Sequence, residues 1–465
     1  PDRLTDRFKT SKSDISLWDR IFFMSLLTNL DDTFAHAEDL NAINKLMSLI
    51  DPELLQQAYA LSGVATVRRR RLPLDSVVFT IVGMSLFRSD PVWDIANKLD
   101  ISLPGKNRFV APSAVVQARQ RLGEEAVGHV FKLMAQRAFG EYAFEQWCGL
   151  NVLAVDGVMF RAQDTTENLA AFGCDRNVMG DNPYPQVRMC SLMETSSHLL
   201  LASEFDGRDV GEMSLAERLI PSVPDNSLTL FDRGYYSLGL LHLWMTKGVN
   251  THWMLPARKD LQYIVKHQLR EHDAVVTLKT SPQARKKFDG LPETIEARLT
   301  SYEVNGKTYR VLSSMVDAMQ FPYEEIADVY VQRWEIELGF REMKQTLHQA
   351  KLTLRSKKSE MVRQELWGLL LAYNLIRVMM LDAVKDMPEL SPSRLSFGLC
   401  MRHIIVFFLT TIPDTVTKLP VHYEYLMESL RMMKLPDKRP DRYYPRVVRK
   451  RPTKYPTKKK ASQLN

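Results

Sequence analysis

The sequence predicts a multidomain chain: a helical N-terminal region, an α/β core interrupted by a β-rich section, and a helical C-terminal region ending in a basic tail. Apolar residues recur at helical spacing up to about residue 148, change to short strand-like runs from Leu150, and return to helical spacing after about residue 323. A chain of 465 residues with 45% hydrophobic residues is long enough for two or three domains. The charge is uneven. Residues 431–460 hold thirteen Lys or Arg and two Asp, a net of +11, so the other 435 residues carry −4 of the whole-chain +7.

Residues 1–148 form the helical region. SLWDRIFFMSLL, AEDLNAINKLMSLI and PELLQQAYALSG are apolar-periodic runs separated by Ser, Pro and Gly, and four arginines, Arg68 to Arg71, precede Pro73 at the start of another helix. PVWDIANKLD and APSAVVQARQRLGEEAVGHVFKLM read as two amphipathic helices joined by the basic link ISLPGKNRFV. That order permits a helix-turn-helix-like module in which Ser113, Gln117, Arg119, Gln120 and Arg121 meet DNA. The plain alternative is a solvated surface helix.

Residues 149–237 begin the core. NVLAVDG, VRMCSLMET, HLLLASEFDG and NSLTLFDRG are apolar runs that end in polar or turn residues, as buried strands do, whereas AFEQWCGL and LAERLIPS read as helical. Residues 238–322 are β-rich: NTHWMLPAR, DAVVTLKT, ETIEARLTSYEV and KTYRVLSSMV are strands, with a hairpin turn at Asn305 and Gly306. Residues 323–380 return to the core with a helix through YVQRWEIELGFREMKQTL and another through QELWGLLLAYNLIRVMMLDAV. Residues 381–430 are helical, and 431–465 are a Pro- and Tyr-rich cationic arm for which nucleic acid is the leading partner.

Several function classes lose support. VVFTIVGMSLF and HIIVFFLTTI are shorter than the about 18 apolar residues of a membrane span. The opening PDRLTDRFKTSKSD lacks the order of a secretory signal, so action in the cytoplasm is expected. Four scattered cysteines without histidine at ligand spacing indicate neither a disulfide framework nor structural zinc.

The acidic residues carry the chemistry. Asp156 ends VLAV and Asp232 ends LTLF, so each strand can deliver a carboxylate into a cleft. Alone, each would more often begin a turn. Together with Glu337 they make an all-oxygen donor set suited to Mg²⁺ or Mn²⁺. On one straight helix, Tyr330, Arg333, Glu337 and Lys344, at offsets of zero, three, seven and fourteen, lie within about 60° of each other, with Trp334, Phe340 and Arg341 close by. That stripe can offer a metal ligand and phosphate-binding cations side by side, which suits metal-assisted phosphodiester chemistry. A salt-bridged surface helix is the alternative. Paired acids could also serve a glycoside hydrolase, but Arg333, Lys344 and the basic arm have no role there.

The same residues carry a resemblance. Tyr330, Arg333, Glu337 and Lys344 match the tyrosine–arginine–glutamate–lysine signature of bacterial insertion-sequence transposases with an RNase H-like, DDE-type core, and DGVMFR and FDRGYYSLGLL resemble that family's two aspartate blocks. The resemblance covers most of residues 150–380 and implies that Asp156, Asp232 and Glu337 bind two Mg²⁺ ions, Mn²⁺ being a possible substitute. It implies that Tyr330, Arg333 and Lys344, with Arg341 beside them, contact transposon-end DNA, and that residues 1–148 recognise the ends. It implies cleavage and strand transfer into target DNA by a homodimer in a paired-end complex. In relatives that excise through a DNA hairpin, an aromatic residue of the β-rich insertion holds a displaced base. Trp253 is the candidate for that role, with His252, Arg258 and Lys259 facing the same DNA, although a tryptophan in an apolar strand also fits a core. A non-transposing nuclease of the same fold and a non-catalytic DNA-binding derivative remain as alternatives.

Overall fold

The computed structural model describes residues 50, 52–64, 74–98, 111–174, 176–177, 180–181, 184–304, 307–347, 353–410 and 419–436. The helices read before residue 50, the arginine run Arg68 to Arg71, the 101–110 link, the Asn305–Gly306 turn and the arm beyond residue 436 lie outside the described residues. The architecture is a helical N-terminal region, a central sheet and C-terminal helices, as the sequence predicts.

Helices α1 (Pro52–Leu61), α2 (Leu74–Leu86), α3 (Val92–Lys98) and α4 (Pro112–Glu141) come first. Every residue of α2 from Val77 to Leu86 is buried, because its apolar residues surround the whole helix instead of forming one stripe. In α4, Gly123 at φ +72° kinks the helix in two.

The strands then build one ten-stranded sheet. Its centre is β2 (Leu150–Arg161), which pairs antiparallel with β5 (Gln186–Glu194), itself antiparallel to β6 (Leu200–Gly207); β1 (Gln146–Trp147) adds a short antiparallel pairing. AFEQWCGL, expected to be helical, is this β1–β2 hairpin: Cys148 at φ +50° and Gly149 at φ +76° supply the two positive φ angles of a two-residue hairpin loop between Trp147 and Leu150. The two-residue strands β3 (Arg176–Asn177) and β4 (Gly180–Asp181) form a separate hairpin after α5 (Thr166–Phe172).

On the other side of β2, β7 (Ser227–Leu230) and β8 (Thr251–Pro256) run parallel, with α6 (Glu212–Leu219) preceding β7 and α7 (Leu238–Thr246) between the two. The β-rich section continues the same sheet. β12 (Lys307–Ser313) pairs with β8, followed outward by β11 (Thr294–Val304), β10 (Asp273–Lys279) and the edge strand β9 (Ile264–Arg270), while α8 (Pro282–Lys287) caps the β10–β11 connection. Pairing with β12 satisfies the backbone edge that β8 would otherwise expose.

After the sheet come α9 (Ile326–Val331), α10 (Trp334–Arg341), a π-helical turn (Glu342–Leu347), the long α11 (Ser359–Val384), α12 (Phe397–Thr410) and α13 (Leu419–Arg431). Helix α11 is long and apolar enough to cross a membrane, but 94% of its most apolar window is buried within the fold, which makes it the central core helix. It crosses α2 at Gly368, where a Cβ would stand 2.4 Å from Ile81 Cγ2. Its buried Glu365 receives Arg88 at 2.5 Å and the backbone amides of Arg355 and Ser356, and Arg355 in turn donates to the carbonyls of Met84, Phe87, Arg88 and Asp90. The N-terminal helices are thereby tied to the core by paired charges and capped carbonyls.

Candidate active site

Asp156 and Asp232 are brought level by strand register. β2 and β7 pair from Asn151↔Ser227 to Ala154↔Leu230, and the same parallel register carried two residues further sets Asp156 beside Asp232, where β7 has ended. Residues two apart on a strand share a face, so both aspartates follow buried residues, Ala154 and Leu230, on one side of the sheet. Asp156 Oδ1 accepts from Gly157 N at 2.7 Å, and Asp232 Oδ1 accepts from Gly234 N at 2.7 Å, which fixes the turn after β7. Asp232 therefore also does the turn-forming work of the plainer reading, whereas Asp156 does not end its strand as expected: β2 continues through it to Arg161, paired with β5.

The glutamate arrives from the helices. The structure replaces the single straight helix expected from Tyr330 to Leu347 with three pieces. The amides of Gln332 and Arg333 bond three residues back, to the carbonyls of Val329 and Tyr330, so α9 closes in a tight turn before α10 begins, and a π turn follows at Glu342. The four signature residues are thus distributed over α9, the start of α10, α10 and the π turn. Tyr330 Oη donates to the carbonyl of Phe231, next to Asp232, at 3.1 Å. Arg333 Nη2 donates to Glu337 Oε1 at 2.8 Å. Lys344 Nζ stands 5.7 Å from the centre of the Phe160 ring, four residues along β2 from Asp156.

Electrostatics links these groups. Burial, then the charges of Asp232 and Glu337, push the Asp156 carboxyl up to about 6, against the pull of the Gly157 amide and Arg333. Burial disfavours the Arg333 cation, yet Glu337, Tyr330 and Asp156 outweigh it and hold the guanidinium charged. The Tyr330 phenol is raised by burial and by Asp232. Among the described residues, no three His, Cys, Asp or Glu side chains stand close enough together to hold a metal ion. The donor chemistry nevertheless fits a hard divalent cation, since the three carboxylates supply oxygen alone and their mutual repulsion at Asp156 is what a bound cation would relieve.

Other sequence expectations fare differently. Trp253, expected as a DNA-facing candidate, takes the core position of the plainer reading: it is 1% exposed on β8, in the same apolar cluster as Trp244 and Phe231, because α7 packs on this strand. Arg119 is 7% exposed and donates to Gln364 at 3.0 Å, so it joins α4 to α11 and is withdrawn from the DNA-facing set. Arg121, Lys259 and Arg341 are exposed, while Arg258 stacks 4.6 Å over Tyr236, four residues after Asp232. The sequence reading missed the buried cluster of His198, Tyr373 and Arg377 behind α10. Its one signal was an arginine inside the apolar run AYNLIRVMM, which requires a buried partner.

The family model described as "Transposase DDE domain" matches residues 147–375, and "Insertion element 4 transposase N-terminal" matches residues 40–132. The "Transposase InsG for insertion sequence element IS4" of Escherichia coli (strain K12) is 48% identical over 425 residues, 91% of this chain and 96% of that protein. The "Putative transposase InsZ" of the same organism is 38% identical over 213 residues, 45% of this chain and 70% of that protein. A solved piggyBac transposase synaptic complex with hairpin DNA covers 86% of each chain at a TM-score of 0.40 and 11% identity, a likeness too loose to support any assignment.

Proposed function

The chain belongs to the IS4 family of bacterial DDE transposases, and from that premise we propose that it cuts DNA at the ends of its own element and joins those ends to target DNA. Asp156, Asp232 and Glu337 are the catalytic carboxylates in this reading, and the observation that carries it is their convergence: the β2–β7 register sets Asp156 beside Asp232, and Tyr330 ties the helical segment that bears Glu337 to the carbonyl before Asp232. They would hold two Mg²⁺ ions, or Mn²⁺. Bound there, divalent ions stabilise charge on the attacking and leaving oxygens and lower the pKa of attacking water.

The reaction needs no nucleotide. Water attacks the phosphorus at the element end, the P–O3′ bond breaks and a 3′-hydroxyl is released; that hydroxyl then attacks a target phosphodiester and displaces another 3′-oxygen. Each step exchanges one P–O bond for another. Arg333 holds one oxygen of Glu337 at 2.8 Å and so orients this carboxylate, leaving further N–H groups to meet a phosphate. Tyr330 anchors α9 to the carbonyl beside Asp232. Lys344 extends the cationic line past Phe160, where it would hold the DNA backbone on the flank of the scissile bond. Exposed Arg121, Lys259 and Arg341 are further phosphate contacts in this proposal. The partners are transposon-end and target duplexes, engaged by a homodimer on the DNA of the cytoplasm.

The test is incubation of the purified protein with duplexes from both flanks of its gene, with Mg²⁺ or EDTA. Metal-dependent nicking at discrete ends is expected, and Asp156→Asn should lower its rate by about a thousandfold or more while end binding persists. Equal cutting by the variant would remove Asp156 from the site, and cutting without end preference would favour a general nuclease.

A further inference from the structure

The helical segment that carries Glu337 is gripped from behind by buried polar groups that the proposed chemistry does not use. Glu335 lies two residues before Glu337, and Glu342 five after it. His198, 2% exposed in the turn between β5 and β6, places Nε2 2.8 Å from Glu335 Oε2 and Nδ1 2.8 Å from Arg377 Nη2. A guanidinium only donates, so toward Arg377 Nδ1 accepts and the imidazole proton is assigned to Nε2, directed at Glu335; Nδ1 also lies 3.5 Å from Glu342 Oε2. Arg377, wholly buried on α11, also pairs with Glu342, and its Nε donates to Tyr373 Oη at 3.2 Å. Tyr373 Oη in turn donates to Glu342 Oε2 at 2.8 Å.

Both sides of this grip are fixed. The β5–β6 turn is braced by buried Glu194, which accepts from the amides of Ser196 at 2.9 Å and Ser197 at 2.8 Å, and His198 itself adopts φ +63°. On the helix side, a Cβ at Gly339 would stand 2.9 Å from Met193 Sδ and 3.1 Å from Tyr373 Oη, so α10 sits at its closest possible approach to β5 and α11. A buried ionic cluster is weak evidence for stability, since apolar residues of similar volume often pack as well; its best-attested use is to select one register. Here the gripped residues bracket Glu337, and Glu342 is the point at which the α-helix opens into the π turn that carries Lys344.

We infer that His198, Tyr373 and Arg377 are positioning residues that set the register of Trp334–Leu347, and with it the presentation of Glu337 to Asp156. The inference rests on the reading of Glu337 as a catalytic carboxylate. Two variants probe one contact. His198→Asn keeps an acceptor toward Arg377 and a residue that tolerates positive φ, but loses the link to Glu335. Glu335→Gln weakens the same link from the helix side with little change in shape.

Single-turnover cleavage of an end duplex should fall about 10- to 100-fold in each variant, with end-DNA affinity and melting temperature unchanged. The double variant should fall no further than either single one, because both remove one contact. Amide exchange, which requires no activity, should quicken across residues 334–347 and stay unchanged in β2, β5 and β7. Unaltered exchange across 334–347, or losses that multiply in the double variant, would overturn the inference. A wild-type protein that does not cleave, with exchange responding as described, would instead overturn the catalytic reading and leave the grip established.

Discussion

The Asp156 carboxylate is disfavoured by its surroundings, and this has a measurable sign. Its carboxyl is raised by burial, Asp232 and Glu337 to about 6, above the about 3.9 of an unfolded aspartate. Between those values the native state binds more protons than the unfolded chain, so this group's contribution to stability declines as pH rises from about 4 to 6 and stays low above that. Asp156→Asn removes the repulsion. In EDTA the variant should therefore melt at a higher temperature than the wild type at pH 7.5, with the gap closing towards pH 4; a gap independent of pH would show that the Asp156 carboxyl is not raised by its surroundings. At this scale the sequence was legible in which residues come together: Tyr330 reaches the carbonyl beside Asp232 and Arg333 meets Glu337, although on separate helical pieces and not the one helix expected. It was illegible where the question was which way a side chain points: Trp253 and Arg119 lie on amphipathic or apolar stretches whose buried face is decided by α7 and α11, elements distant in sequence.

The elements were mostly legible because their periodicity is local. The strand runs around Asp156, Cys190, Phe205 and Leu230 all form, as do the helices through Leu215 and Leu370. The misses have physical causes. β9, IVKHQLR, is exposed on both faces at the sheet edge and so has no burial alternation to read. The break between α9 and α10 and the π turn fall where Tyr330 bonds to Phe231 and where Glu342 meets Tyr373 and Arg377, partners distant in sequence that no local pattern reveals. Another long-range contact is made by Glu365, fully buried, with Arg88, Arg355 and Ser356 around it; burial would raise its carboxyl, but Arg88 and the surrounding donors outweigh this and hold it low. Glu365→Gln should destabilise the fold by about 3–5 kcal/mol, because Arg88 would be left buried without its counter-charge. Chemical denaturation measures this directly, and a loss below about 1 kcal/mol would mean that Arg88 finds solvent instead.

At the scale of the whole molecule, a helical N-terminal region and a central sheet share α11 as a common spine, since that helix packs on α2, α4 and the site-bearing segment. The β-rich section was legible as strands, but nothing in its local pattern tells that β8 pairs with both β7 and β12 and so makes one continuous sheet from the carboxylates outward. The arrangement puts the two aspartates on the neighbouring parallel strands β2 and β7, in the section of the sheet flanked on both sides by antiparallel strands, and Tyr330 of α9 reaches the carbonyl beside Asp232. Joining two element ends to a target is an act of the whole protein, and it separates a transposase from a nuclease that shares the same acids. The most direct measurement is therefore the joining of pre-cut 3′-hydroxyl element ends to a supercoiled plasmid in Mg²⁺, by the wild type and by Asp156→Asn. The account predicts covalent end-to-plasmid products for the wild type and none for the variant; equal products from both, or plasmid cut without joining, would contradict it.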